Sequence, residues 1–243
     1  MMKWFVISAA CFVVFTGCSA ITFERKVENN TFTSMADPKV QIQVNPQFRY
    51  IGQINSSSHH QSVHGTRGLL VSYNSYLFAD VGDDNVLRKG VIIRVDKISK
   101  SYWDTDMFAD VKNKLVSDYE DINTDRYEHF LAVRSDIFSK DEMDYVIKEG
   151  MKNVRPVMRG DKLAYSGFVI PKCFLVEAFG TRAGAGNDTR LSMYYFEDLM
   201  DMDDSFSCRE WIKGEATPED QENAKKLFIE SRKKAITFTK YRK

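Results

Sequence analysis

The chain has 243 residues, 43% of them hydrophobic and 13% aromatic, with 34 Lys or Arg against 34 Asp or Glu. That apolar content excludes a disordered chain, and the length suffices for a substantial core in one domain or two small ones. The even charge excludes the basic footprint of a general nucleic-acid binder, so no nucleic-acid partner is expected.

The chain opens MMKWFVISAACFVVFTGCSA. Lys3 precedes an uncharged run from Trp4 to Phe15, too short to cross a bilayer core of about 30 Å as a helix. A basic start, an apolar run and then small residues are the layout of a secretory signal. Where an ordinary signal carries an A-x-A-like site, Phe15-Thr16-Gly17-Cys18 stands here.

This stretch resembles the lipobox of bacterial lipoproteins, with Phe15 in the place of the usual Leu or Val. The resemblance covers residues 1–20. It implies a thioether between the Cys18 thiol and diacylglycerol, cleavage before Cys18, and acylation of the new amine. Ser19 in place of Asp implies, in the Gram-negative class, sorting to the outer membrane. On this reading residues 1–17 are a cleaved signal peptide, 18–38 a lipidated N-terminus and flexible tether, and 39–243 a single α+β globular domain. Each buried CH₂ contributes about 0.8 kcal/mol and stable anchoring takes more than one chain, so acylated Cys18 suffices as the membrane contact. No later stretch is apolar over the length a spanning helix needs.

Val40-Gln41-Ile42-Gln43-Val44 alternates with the period of a half-buried strand. Phe48–Ile54 reads as a second strand, joined to the first as an antiparallel pair through the Asn45-Pro46 turn signal. Residues 55–67 read as a polar loop. Gly68–Phe78 and Val91–Ile98 read as strands, the latter rich in β-branched residues. A helix is expected over 105–119, with Phe108, Val111, Leu115 and Tyr119 as its buried stripe. His129–Arg134 reads as a short strand. Ser139-Lys140-Asp141-Glu142 has the form of a capping box, opening a helix over 140–149 that Gly150 would end. Two apolar runs follow, Leu163–Ile170 and Cys173–Phe179, with Leu191–Phe196 as their partner. Thr217-Pro218 starts a last helix and 236–239 a last short strand. The expected fold class is α+β: an antiparallel or mixed sheet with about three helices packed mainly on one face.

Cys11 leaves with the signal and Cys18 carries the lipid, which leaves Cys173 and Cys208. In an oxidising compartment such a pair tends to bridge, stabilising by roughly 3–4 kcal/mol. The alternative is two buried free thiols. Neither has the CxxC neighbour of a zinc site.

Three of the four histidines, His59, His60 and His64, lie close together. Imidazoles at i and i+4 on a helix face can share a metal, which makes these metal candidates, but the NSSSHHQSVHG context reads as a solvated loop. Thr181–Arg190, TRAGAGNDTR, matches neither Walker A nor the dinucleotide fingerprint and reads as a hairpin loop. Glu197, Asp198, Asp201, Asp203 and Asp204 lack the EF-hand pattern and read as a solvated turn. Asp118, Glu120, Asp121 and Asp125 read as a charged helix end and loop. His129 reads as a partly buried sheet residue and not as a general base. From Lys225 to Lys243 eight Lys or Arg face one acid, Glu230, which suits either an anionic surface or the C-terminal end of a helix.

No catalytic signature and no cofactor motif is recognised, so no catalytic residue and no cofactor are expected. The expectation is a non-catalytic, lipid-anchored protein of the bacterial cell envelope, at the outer membrane, binding or scaffolding another envelope component. Its partners would be the membrane, through Cys18, and an envelope protein or anionic surface. The alternatives are a lipid-anchored, metal-dependent hydrolase using His59, His60 and His64, and a secreted glycoprotein modified at acceptor patterns such as Asn29-Asn30-Thr31, Asn55-Ser56-Ser57 and Asn187-Asp188-Thr189.

Overall fold

The structure is a computed structural model that describes residues 24–60, 69–98, 107–123, 125–159, 162–165, 167–184, 188–202 and 206–240. The chain forms β1 (Arg25–Glu28), β2 (Thr31–Ser34), β3 (Val40–Val44), β4 (Arg49–His60), β5 (Leu69–Val81), β6 (Leu87–Ile98), β7 (Lys114–Ile122) and β8 (Asp125–Arg134). It continues through α1 (Lys140–Lys152), β9 (Pro156–Arg159), β10 (Lys162–Tyr165), β11 (Phe174–Ala183) and β12 (Thr189–Asp198). It ends with α2 (Leu199–Met202), α3 (Cys208–Lys213), α4 (Pro218–Ala235) and β13 (Ile236–Lys240).

The strands build a seven-stranded sheet in the order β4-β5-β6-β12-β11-β8-β7, a four-stranded sheet in the order β1-β2-β3-β13, and a β9-β10 hairpin. The pairings among these strands are antiparallel, and one isolated parallel bridge joins Val86 to Val169. The centre of the large sheet is buried on both faces, because consecutive residues Val91, Ile92 and Ile93 of β6 serve different cores. On one face Tyr76, Val91, Ile93 and Tyr195 pack with Phe32 and Ile42 of the small sheet and with Trp211 and Phe228 of α3 and α4. On the other, Ile92, Phe130, Val176 and Phe196 pack with Val146 of α1 and with Met107 and Phe108. The α+β expectation therefore holds in its coarse form, but with four helices among the described residues, distributed over both faces.

Other differences have local causes. Residues 25–34, within the expected tether, form the β1-β2 hairpin: Asn29 and Asn30 take positive φ of 49° and 56° at its turn, and Phe32 is fully buried. β3 does not pair with β4 but with β2 and β13. β4 runs on through residues 55–60, expected as loop, and pairs with β5. The expected helix over 105–119 is a turn at Met107–Asp110 followed by β7. Asn113 at φ 56° separates the two, and β7 satisfies the free backbone edge of β8. Leu163 sits in the small β9-β10 hairpin, 62% exposed, so only Cys173–Phe179 of the two apolar runs contributes to the large sheet beside β12. Helix α1 runs past Gly150 and is capped by Asn153.

Local signals that the sequence carried in full are formed. Ser139 and Glu142 make both halves of the capping box on α1, and Thr217 caps α4 with Pro218 in its first turn. Cys173 and Cys208 are bridged, with Cα atoms 5.5 Å apart, tying the start of β11 to α3.

Candidate functional site

The signal, the lipobox and Cys18 lie outside the described residues. So does His64, whereas the backbone of His59 and His60 belongs to β4 opposite Leu70 and Leu69. A helical i, i+4 pairing is therefore not available at His60. Of TRAGAGNDTR, residues 181–183 end β11 and 189–190 begin β12, with Arg182 opposite Arg190 and Ala183 opposite Thr189, while residues 185–187 lie outside the described residues. Arg190 pairs with Asp96, and Arg182 lies 3.7 Å from Glu128.

The first two members of the acidic cluster are not in a solvated turn. Glu197 and Asp198 end β12 in buried positions, Lys89 pairs with Glu197, and Asp198 accepts from the Met200 amide at 3.1 Å. Asp201 pairs with Arg88, while Asp203 and Asp204 lie outside the described residues. Burial pushes the Asp198 carboxyl up from its ordinary value.

A cleft opens on the α1 face of the large sheet, with a volume of about 280 Å³. Phe130, Val176 and Tyr194 form its floor, Phe108 and Phe138 flank it, and Arg134 lies at its edge. These apolar groups meet because β8, β11 and β12 are adjacent and alternate in register. Arg94 of β6 also lines it, above the Tyr194 ring at 5.3 Å. Its charge is balanced by the fully buried Glu142, at 2.5 and 3.2 Å. Glu142 also accepts from Ser75 and, at 2.8 Å, from the Ser139 amide.

Burial alone would raise the Glu142 carboxyl, but Arg94, Ser75 and Ser139 outweigh it and hold it below the usual range. Burial would likewise lower the Arg94 pKa, yet Tyr194, Glu142 and Asp96 raise it, so the guanidinium stays charged. Among the described lining residues the one aliphatic hydroxyl, Ser139, is committed to the helix cap, and no thiol or histidine is present. The cleft thus offers aromatic walls and a fixed, balanced charge, which suits binding.

A second cluster lies at the β7 edge, facing α4. His129 Nδ1 is 2.6 Å from Asp118 Oδ1 and Nε2 is 3.0 Å from Glu177 Oε1, with the ring stacked on Phe179 at 4.8 Å. Arg232, from the basic C-terminal stretch, turns inward and holds Glu177 at 2.7 and 3.2 Å. Glu120 completes a group in which one ligand atom each from Glu120, His129 and Glu177 lie within 4.8 Å of one another. Burial lowers the His129 pKa, but its bonds to Glu177 and Asp118 more than reverse this and raise it.

Sequence reasoning placed Asp118 and Glu120 on a helix end and missed the cluster. The signal was the period-two spacing of Asp118 and Glu120, which puts both on one face of a strand opposite His129 and Tyr127. Comparison of the chain with family models, with curated proteins and with solved structures finds no match.

Proposed function

We propose that this chain is a lipid-anchored protein of the bacterial cell envelope, held at the outer membrane through Cys18 and acting by binding an envelope component, not by catalysis. The observation that carries the export half is the Cys173–Cys208 bridge, since such bonds persist in oxidising compartments and are rare in reducing ones. It accounts for both cysteines left once Cys11 and Cys18 are assigned to the signal and the anchor. The binding half is supported by the aromatic cleft beside α1, floored by Phe130, Val176 and Tyr194.

The test is made on the anchor. Mass spectrometry of the protein from its native membrane should find an acylated N-terminal Cys18. The Cys18→Ser variant should leave the membrane fraction. Recovery of both forms in that fraction with residues 1–17 still attached would overturn the reading, because the apolar run itself would then be the anchor. Sugars on Asn29, Asn55 or Asn187 without acyl chains on Cys18 would point instead to a secreted glycoprotein.

A further inference from the structure

We propose that Glu120, His129 and Glu177 bind one divalent transition-metal ion, with Asp118 orienting the histidine. The contact between His129 and Glu177 carries the argument. Asp118, at 2.6 Å, takes the hydrogen of Nδ1, which leaves a lone pair on Nε2 in the neutral imidazole. That lone pair faces a carboxylate oxygen at 3.0 Å. Two acceptors at this distance repel unless a cation lies between them, and the cation is either a proton or a metal. A separation of 3.0 Å is also what two ligands show when each sits about 2.1 Å from one octahedral ion, at an angle of about 90°; a tetrahedral ion would space them about 3.4 Å apart, a small opening of the contact.

The surroundings favour the metal. A carboxylate on the far nitrogen of a ligating histidine is the usual outer support of such sites, fixing ring and tautomer. Arg232 grips Glu177 chiefly through Oε2, at 2.7 Å, and so fixes the direction of Oε1. With neutral His129, the carboxylates of Asp118, Glu120 and Glu177 outweigh Arg232 by two charges. A divalent ion balances that excess, whereas a proton leaves one negative charge over. One nitrogen and two carboxylates suit Zn²⁺ or Mn²⁺ better than Ca²⁺, which prefers all-oxygen sites, or Cu⁺, which prefers sulfur. Strand β7 is the outer strand of the sheet and Glu120 is half-buried, so an ion has a route in from solvent and open positions for water. Once bound, it would join β7, β8 and β11 through one centre.

The test uses the full chain in detergent, stripped with chelator and titrated with Zn²⁺ or Mn²⁺, with bound metal counted by elemental analysis and affinity measured by calorimetry. A parallel variant with His59, His60 and His64 all replaced by Gln removes the other histidine cluster. The expected result is one ion per chain in both proteins. Asp118→Asn should weaken binding roughly 10–100-fold, and Glu120→Gln at least about 10-fold. His129→Ala should abolish stoichiometric binding. Glu120 is at the edge and only half-buried, so Glu120→Gln remains decisive should His129→Ala fail to fold. No ion bound at a tenfold excess of either metal would show that a proton bridges His129 and Glu177, and would overturn the proposal. Loss of the ion in the His59/His60/His64 variant alone would overturn it equally.

Discussion

Replacing Glu142 by Gln tests the polar network that holds α1 on the sheet. Gln keeps the shape of the side chain and its oxygen can still accept from the Ser139 amide, so the helix cap survives. What is lost is the counter-charge of Arg94, whose guanidinium contacts both carboxylate oxygens. Glu142 is fully buried and the Arg94 side chain is 18% exposed, so the remaining charge has little water to turn to. Breaking one partner of a buried pair costs about 3–5 kcal/mol, and the slight exposure of Arg94 favours the lower end. For a chain of this size each kcal/mol moves the midpoint by about 2–4 °C, so Tm should fall by roughly 6–15 °C. Thermal and urea unfolding of the two proteins measure it.

The double variant Arg94→Met with Glu142→Leu should recover most of the loss, because it removes both charges together. The pH dependence has a definite sign. The folded-state pKa of Glu142 lies below its unfolded value. Its contribution is therefore complete above about pH 4.3 and disappears as pH falls through the lowered folded value. The gap between wild type and Glu142→Gln should accordingly narrow in acid. A single-variant cost under about 1 kcal/mol at neutral pH, or a gap unchanged from pH 7 to pH 3, would refute the reasoning, since a buried charge pair left half-made carries at least that penalty.

Removing the Cys173–Cys208 bridge by Ala at both positions should cost about 4 kcal/mol on chain-entropy grounds for a pair separated by 35 residues, read as a shift in the urea midpoint that reductant reproduces in wild type. Gly90→Ala would drive a methyl into the Phe196 ring across the strand pair, so it should destabilise by about 1–3 kcal/mol, with Phe196→Leu in the same chain relieving part of the loss in thermal melts. If acylated Cys18 is the anchor, the few residues before β1 reach roughly 25 Å at most. Arg126 lines the same surface hollow as Asp37, whose carbonyl accepts from Arg25 of β1, and Arg134 lies roughly 27 Å further along β8. Energy transfer from a dye at residue 126 to labelled lipid should therefore exceed that from a dye at 136, and equal transfer from both would contradict this placement.

What the sequence made legible was local. The alternation of Val40–Val44, the Ser139–Glu142 box and the Thr217-Pro218 start all act within a few residues, and all three formed where they were expected. The partner of β3 was not legible, because its alternation specifies a buried face but not which distant strand completes it. The misreading of 105–119 came from apolar residues at helical spacing: Phe108 is indeed buried, but from a turn, while Tyr119 is 53% exposed on the edge strand. The His129 cluster draws on β7, β8, β11 and α4, so no window along the chain contains it. The cleft likewise needs β6, β8, β11 and β12 in their final order before its walls exist.

The pairing of β3 with β13 constrains the order of events in folding. Val44 lies opposite Ile236, and the Asn45 amide donates to Ala235 at 2.8 Å, which clips the end of α4 to the end of β3. Closing a loop of roughly 190 residues carries an entropy cost of about 4–5 kcal/mol before any contact offsets it. A nascent chain cannot complete the small sheet until β13 has emerged. Until then Ile42, Phe32 and one face of the large sheet lack their cover. The slowest step to the native state should therefore be the arrival of the last strand, and protection of the β3 amides from exchange should appear together with that of β13, after the β5-β6 and β11-β12 hairpins are formed.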